Sequence, residues 1–114
     1  MMVADSRGYS VAEITVHETE TYDEYVVRSG VVLEKYGARL LAQAFTARGE
    51  LLVKEGGREF ERLVLVEFDS LERVTDFYES PDYQAVIGLR HRSADSHVYH
   101  LQGVSTADSE MPAS

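Results

Sequence analysis

Residues 61–96 constrain the fold of this chain more than any other stretch. They begin with a nearly continuous apolar run at 62–68, which is typical of a strand in the centre of a sheet. Asp69 or Ser70 then has the position of a helix N-cap, and Glu72 follows Asp69 at the spacing of a capping box. We therefore predict a central strand that leads directly into a helix.

A second helical segment is predicted after a break in the chain. Ser80 is expected to cap it, with Pro81 in the first helical position, where a missing N–H costs no hydrogen bond. The segment ends in three basic side chains at 90–92, and a last strand is predicted at about 96–103. The whole stretch therefore predicts strand, helix, helix and strand.

The first half of the chain predicts two more strands with a helix between them. The strands are expected at 9–16 and 39–46. The helix should begin at Thr19 or Thr21 and end at Gly37, because glycine readily adopts the left-handed conformation that stops a helix.

Two further segments complete the prediction. A short strand is expected at 51–55, LLVKE, between glycine-containing turns. Residues 105–114 have the composition of a disordered tail. No internal repeat or linker is evident, so residues 8–104 are expected to form a single domain.

This order of elements predicts an α+β fold. Two crossovers of this kind give an antiparallel, ferredoxin-like sheet with helices on one face only. The other face would then present apolar side chains to water. Two such sheets packed face to face in a homodimer would cover them.

Short motifs along most of the chain match the pattern of one known family. They are Gly8-Tyr9, Tyr22-x-x-Tyr25, Tyr36-Gly37-Ala38-Arg39, Glu61-Arg62, Val66-Glu67-Phe68, Ser70-Leu71-Glu72, Phe77-Tyr78-x-Ser80-Pro81-x-Tyr83 and Leu89-Arg90. With these motifs the chain resembles the domain of unknown function 1330 family, part of the dimeric α+β barrel (ferredoxin-like) superfamily. The resemblance implies a barrel built by two subunits, and it implies no settled chemistry.

Charge and composition exclude several classes of function. The formal net charge is −9, and nucleic-acid binding depends on Lys and Arg that neutralise phosphates, so no nucleic-acid partner is expected. No apolar run is long enough to cross a membrane, and the N-terminus lacks the pattern of a secretory signal. The chain has no cysteine, which excludes thiolate chemistry. A cytoplasmic location without membrane contact is the resulting expectation.

The alternation of side chains assigns one face of each strand to the interior of the expected barrel. The opposite set, which includes Ala12, Ile14, Val64 and Val66, is expected under the helices. Strand two is ambiguous, but its alanines suit close helix packing. The residues expected inside the barrel are Tyr9, Val11, Glu13, Thr15, Arg39, Leu41, Gln43, Phe45, Leu63, Leu65 and Glu67, with either His97, Tyr99 and Leu101 or Val98, His100 and Gln102.

A first candidate site lies inside that barrel. Arg39 would clamp an anionic ligand through its planar guanidinium. Glu67, His97 or His100 would act as a base, since histidine titrates near neutral pH. Glu13 could share a proton with Glu67, and Tyr9 would add a hydroxyl. The alternative is that Arg39 and a glutamate form an ion pair in the dimer interface.

A second candidate group lies on the last helical segment. Tyr83 and Arg90 fall on one helix face, and Tyr78 lies across the break from Tyr83. Their hydroxyls and the guanidinium could bind a carboxylate or enolate oxygen. The alternative is a pair of core tyrosines and an arginine that interacts favourably with the helix C-terminus.

No metal or cofactor is expected. His97 and His100 are three positions apart and would face opposite sides of a strand, and no metalloprotease motif is present. We therefore predict a homodimeric barrel that binds a small anionic or phenolic molecule, with cofactor-free acid–base chemistry such as isomerisation, cyclisation or dehydration. The alternatives are a non-catalytic ligand-binding or accessory protein and a cofactor-free oxygenase.

Overall fold

The computed structural model describes residues 6–104 as one antiparallel sheet with helices packed against it. None of the described helices is long and apolar enough to cross a membrane. The elements in chain order are β1 (Gly8–Val16), α1 (Thr19–Lys35), β2 (Arg39–Phe45), a 3₁₀ turn (Thr46–Arg48), β3 (Arg62–Phe68), α2 (Leu71–Glu79), α3 (Pro81–Gln84), α4 (Ile87–Ser93) and β4 (Ala94–Gln102).

The strand order is β2-β3-β1-β4, and every neighbouring pair is antiparallel. The helices cover one face, so the predicted α+β, ferredoxin-like fold is confirmed. β3 lies inside the sheet, as its apolar sequence indicates, whereas β2 and β4 are the edges. The other sheet face, called the open face below, has none of the described helices against it.

The predicted N-terminal caps are confirmed at α2 and α3, but the single helical segment predicted after Ser80 is wrong, because a turn at residues 85–86 divides it into α3 and α4. The Ser70 side chain, and not that of Asp69, caps α2 by accepting a hydrogen bond from the Arg73 N–H at 3.0 Å. Ser80 caps α3 by accepting from the Tyr83 N–H at 3.1 Å, with Pro81 at the first helical position. Gly37 ends α1 with a φ of 72°, in the left-handed region that favours glycine.

The predicted strand at 51–55 is wrong. These residues are in no strand, and the side chain of Leu52 is largely exposed. The chain leaves the edge of the sheet in the 3₁₀ turn after β2, so this segment has no neighbouring strand to bond. The predicted tail at 105–114 lies outside the described residues.

The register confirms the faces assigned to β1 and β3 and resolves β4. Side chains directly opposite each other in an antiparallel pair share a face. Tyr9 lies opposite Glu67 and Leu101, and Glu13 lies opposite His97. The open face of β4 therefore carries His97, Tyr99 and Leu101, whereas His100 is on the helix side.

The face assignment of β2 is wrong beyond its first two residues. Arg39 lies opposite Glu67 on the open face, but a β-bulge follows between Leu40 and Ala42. The extra residue reverses the alternation, as bulges do. Gln43 and Phe45 consequently lie on the helix side, and Ala42 and Ala44 lie on the open face.

Candidate functional site

The first predicted group forms an ion-pair cluster at one end of the open face. Arg39 Nε lies 2.8 Å from Glu67 Oε1, and Arg39 Nη2 lies 3.1 Å from Asp69 Oδ1. The Tyr9 hydroxyl donates to Glu67 Oε2 at 3.0 Å. Both Glu67 oxygens are thus engaged, and the hydrogen bonds from Arg39 and Tyr9 hold the pKa of Glu67 below its ordinary value. These contacts favour the ion-pair interpretation over a free base at Glu67.

Glu13 and Glu67 cannot share a proton. They lie at opposite ends of the open face, four residues apart along the paired strands, which corresponds to about 13 Å. Glu13 instead lies 3.3 Å from the Arg58 guanidinium. Its neighbour His97 on β4 is exposed on the same face.

A cavity of about 570 Å³ lies on the other side of the sheet, beneath α1. This position differs from the one expected, because the pocket is enclosed by a single chain between helix and sheet. Most of its wall is apolar, as in many small-molecule sites. The apolar wall includes Ile14, Val26, Leu33, Val64, Val66 and Phe77.

Tyr83 and Arg90 of the second predicted group both line this cavity. The Tyr83 hydroxyl lies 2.7 Å from that of Tyr25, on α1. Burial, and then the nearby Tyr25, raise the pKa of Tyr83 above its ordinary value, so its hydroxyl stays protonated. Arg90 is only 4% exposed, donates from Nη1 to Ser96 Oγ, and lies 5.8 Å from the Tyr25 ring.

Arg62 is a second buried guanidinium on the cavity wall. It is 9% exposed, lies over the ring of Tyr22 at 5.3 Å and donates from Nη2 to Gln43. Its Nε has no hydrogen-bond partner in the described part of the chain. Within residues 6–104, no carboxylate oxygen lies within 4.0 Å of Arg62 or Arg90.

These two cations make the cavity electrostatically unbalanced. A buried charge is costly unless it is paired. The guanidinium is also the side-chain group best suited to bind carboxylate or phosphate oxygens. The cavity can therefore supply a bound anion with donors from Arg62, Arg90 and the tyrosine hydroxyls, beside an apolar wall.

Two other residues of the predicted sites lie outside the cavity. The centre of the Tyr78 ring lies 5.5 Å from that of Tyr83 and 5.0 Å from that of His100. Burial lowers the pKa of His100, which keeps the imidazole neutral near pH 7. No group of three potential metal-ligating side chains occurs among residues 6–104.

Among the cavity residues that the sequence prediction did not assign to a site are Tyr22, Tyr25 and Arg62, whose polar groups matter most for the chemistry of the cavity. A signal for Arg62 was available, since strand alternation places it on the same face as Val64, under the helices. A lone arginine on that face marks a buried charge. The two tyrosines could be read only as part of the apolar face of α1.

Solved structures confirm the fold at low sequence identity. A protein of unknown function from Rhodopseudomonas palustris superposes with a TM-score of 0.69 at 17% identity, covering 95% of this chain and 85% of that one. SnoaB, a cofactor-independent oxygenase from Streptomyces nogalater, gives a TM-score of 0.57 at 10% identity, covering 86% and 92%. A dimeric ferredoxin-like protein of unknown function from Thermobifida fusca gives a TM-score of 0.50 at 10% identity, and the match covers 84% of this chain and 90% of that one.

The family of the chain follows from its sequence. The search of curated proteins found no match to this chain. The family described as "Domain of unknown function (DUF1330)" matches residues 7–104, nearly the whole of the described fold. The chain therefore belongs to the DUF1330 family.

Proposed function

We propose that this protein binds a small anionic molecule with an apolar body in the cavity beneath α1. The observation that carries the proposal is the pair of buried guanidinium groups, Arg62 and Arg90, without a carboxylate partner in the described chain. An anionic group on the ligand would balance them. The apolar wall would accept the rest of the ligand.

Arg90 and the two tyrosine hydroxyls together suit an oxygen that carries negative charge. Tyr83 is protonated, and its hydroxyl lies beside Tyr25 and near Arg90. Donors fixed in a dry site stabilise a carboxylate or a developing enolate more strongly than water does. Acid–base chemistry on such a ligand is therefore part of the proposal. Within residues 6–104 the lining includes one carboxylate, Glu34, and no histidine, so the proposal is chiefly one of binding.

A titration with an anionic aromatic dye tests the binding proposal. We expect 8-anilinonaphthalene-1-sulfonate to bind with one molecule per chain. Arg90→Met and Arg62→Met should each weaken it about tenfold or more, because a hydrogen bond to a charged group contributes about 1.5 to 3 kcal/mol. Arg28→Met makes the same charge change on the exposed side of α1 and is the matched control. Equal affinity in all four proteins would contradict the proposal.

The open face is proposed to form a homodimer interface. It carries Val11, Leu63, Leu65, Tyr99 and Leu101 on three adjacent strands, and the last two are 44% and 43% exposed in the single chain. A contiguous apolar surface of this kind usually marks an interface. One structure of the same fold is described as dimeric.

Light scattering tests the dimer. The wild-type chain should have twice the mass of one subunit, and Leu65→Lys should halve it by placing a charge at the centre of the face. Val27→Lys puts the same charge on the exposed side of α1 as a control. A stable wild-type monomer at micromolar concentration would rule the dimer out.

A second candidate function is cofactor-independent oxygenation of a phenolic compound. It is favoured by the structural likeness to SnoaB and by a cavity whose donors could hold a phenolate oxygen. Oxygen uptake on addition of phenolic compounds, absent in Arg90→Met, would support it. If the dye binds but none of the phenolic compounds causes oxygen uptake, the oxygenase function is ruled out for them and only the binding function remains.

A further inference from the structure

Gly30 lies in the middle of α1, at the mouth of the cavity. Val26, Gly30 and Glu34 are four positions apart, so they form one row on the helix surface, and all three are exposed and line the cavity. Across from this row stands Leu40 of the edge strand β2, which is 59% exposed. The cavity thus opens to solvent through a slot between the helix row and β2.

Neither the backbone nor the packing explains a glycine at this position. Glycine is one of the least favourable residues in a helix interior. Positive φ angles in the described chain occur at Gly37, Gly49 and Gly56, so Gly30 has an ordinary helical backbone. A Cβ built on Gly30 would meet no atom within 4 Å. A longer side chain would extend into the slot, and this is the effect that glycine avoids.

The slot also has a direction. The short connection between α1 and β2 makes the two elements antiparallel, so Glu34 lies near the start of β2. Arg62 lies at the other end, where its guanidinium contacts the rings of Tyr22 and Phe45. The acidic side chain of the mouth is therefore remote from the buried cation, and Gly30 lies between them.

We propose that the absence of a side chain at Gly30 keeps the aperture of the cavity open. The residue at this position then sets the width of the ligand that the cavity admits. This inference rests on the proposed function and extends it to a ligand orientation. The anionic group of the ligand enters first and reaches the arginines. The apolar body then occupies the slot beside Gly30, between the exposed side chains of Val26 and Leu40.

Chemical modification of a single introduced thiol tests the aperture after the protein has folded. The chain contains no cysteine, so Gly30→Cys carries a unique thiol. It is reacted with methanethiosulfonate reagents that add first a methylthio and then a benzylthio group. Val31→Cys is the matched control, because residue 31 is exposed on α1 but does not line the cavity.

We expect the unmodified Gly30→Cys protein to bind 8-anilinonaphthalene-1-sulfonate slightly more weakly than the wild type, because its short side chain already enters the slot, and this affinity is the reference for the modified forms. The methylthio group should weaken binding severalfold and the benzylthio group more than tenfold, whereas modified Val31→Cys should bind normally. Bound dye should also slow the modification of position 30 and leave that of position 31 unchanged.

The possible failures can be told apart. Unchanged dye affinity after benzylthio modification at position 30 would overturn the aperture, while a dependence on Arg90 would leave the proposed function standing. Binding that is blocked at position 30 but independent of Arg62 and Arg90 would support the aperture and overturn the anion site. A wild-type chain that binds no dye would overturn both.

Discussion

The hydroxyl oxygens of Tyr25 and Tyr83 lie 2.7 Å apart, although 58 positions separate the two residues in the sequence. One belongs to α1 and the other to α3, so the contact joins the two helical segments over the cavity. Each hydroxyl has one hydrogen to donate. When one donates to the other, a single O–H remains for a third group, and both residues line the cavity.

Removing either hydroxyl should therefore affect both stability and ligand binding. We expect Tyr83→Phe and Tyr25→Phe each to lower the free energy of unfolding by about 1 kcal/mol, the usual contribution of one hydrogen bond. The double variant should cost little more than either single one, because all three lack the same bond. Urea denaturation of the four proteins measures the coupling, and Tyr78→Phe is the control outside the cavity. Strict additivity would show that the two hydroxyls do not interact.

The charges of the buried arginines should lower the stability of the folded protein in the absence of ligand. We expect Arg90→Met to melt at the wild-type temperature or a few degrees above it, because methionine fills similar space without a desolvated charge. The same variant should lose affinity for the anionic dye. A combined calorimetry and dye-binding measurement checks both. A large drop in melting temperature would identify Arg90 as a structural residue held by Ser96 and the tyrosines.

The pH dependence of stability should report on Glu67. Its folded pKa is lower than the ordinary value of 4.5, chiefly through the hydrogen bonds from Arg39 and Tyr9. A carboxyl with a lowered folded pKa contributes stability that is complete above the unfolded value and is lost as the pH falls through the folded one. The melting temperature should thus decrease as the pH is lowered from 4.5. In the Glu67→Gln variant this decrease should be smaller. Glu59→Gln, in the exposed loop before β3, is the control, and equal slopes for both variants would contradict this role.

Gly8 should tolerate no side chain. A Cβ on Gly8 would lie 2.4 Å from the carbonyl oxygen of Ser70, at the start of α2. Backbone cannot move away as a flexible side chain can, so Gly8→Ala should cost about 1 to 3 kcal/mol or more, as overpacking does. Gly57→Ala is the matched control, because a Cβ there meets nothing within 4 Å. Chemical denaturation compares the two variants, and equal stabilities would show that α2 can shift.

The regular parts of the fold could be predicted from local chemistry. Ser80 and Pro81 place the start of α3, and Gly37 ends α1, because each signal acts within a few residues. The failures are non-local. The sequence LLVKE has strand-like composition, but a strand forms only beside a partner, and no neighbour in the described sheet is available to it.

The candidate site was predictable only where residues near each other in the sequence carry it. Tyr83 and Arg90 fall on one face of the predicted helical segment, and both line the cavity although the structure divides that segment into α3 and α4. Their meeting with Tyr25 and Arg62 depends on how α1 packs over the sheet, and no local pattern encodes that packing. The reversal of faces in β2 was likewise unpredictable, because nothing in the sequence RLLAQAF marks the bulge at Leu41.

The alternation along β3 separates two surfaces on a single strand. Positions 62, 64 and 66 line the cavity, and positions 63, 65 and 67 lie on the open face. Under the two proposals, substitutions at neighbouring residues of β3 therefore affect different properties, namely ligand binding and dimer assembly. Randomising the even positions should change which compounds are held while assembly persists, and randomising the odd ones should do the reverse. With the proposed ligand site and the proposed dimer, ligand preference and quaternary structure can thus diverge independently during evolution, or in the laboratory, within a segment of seven residues.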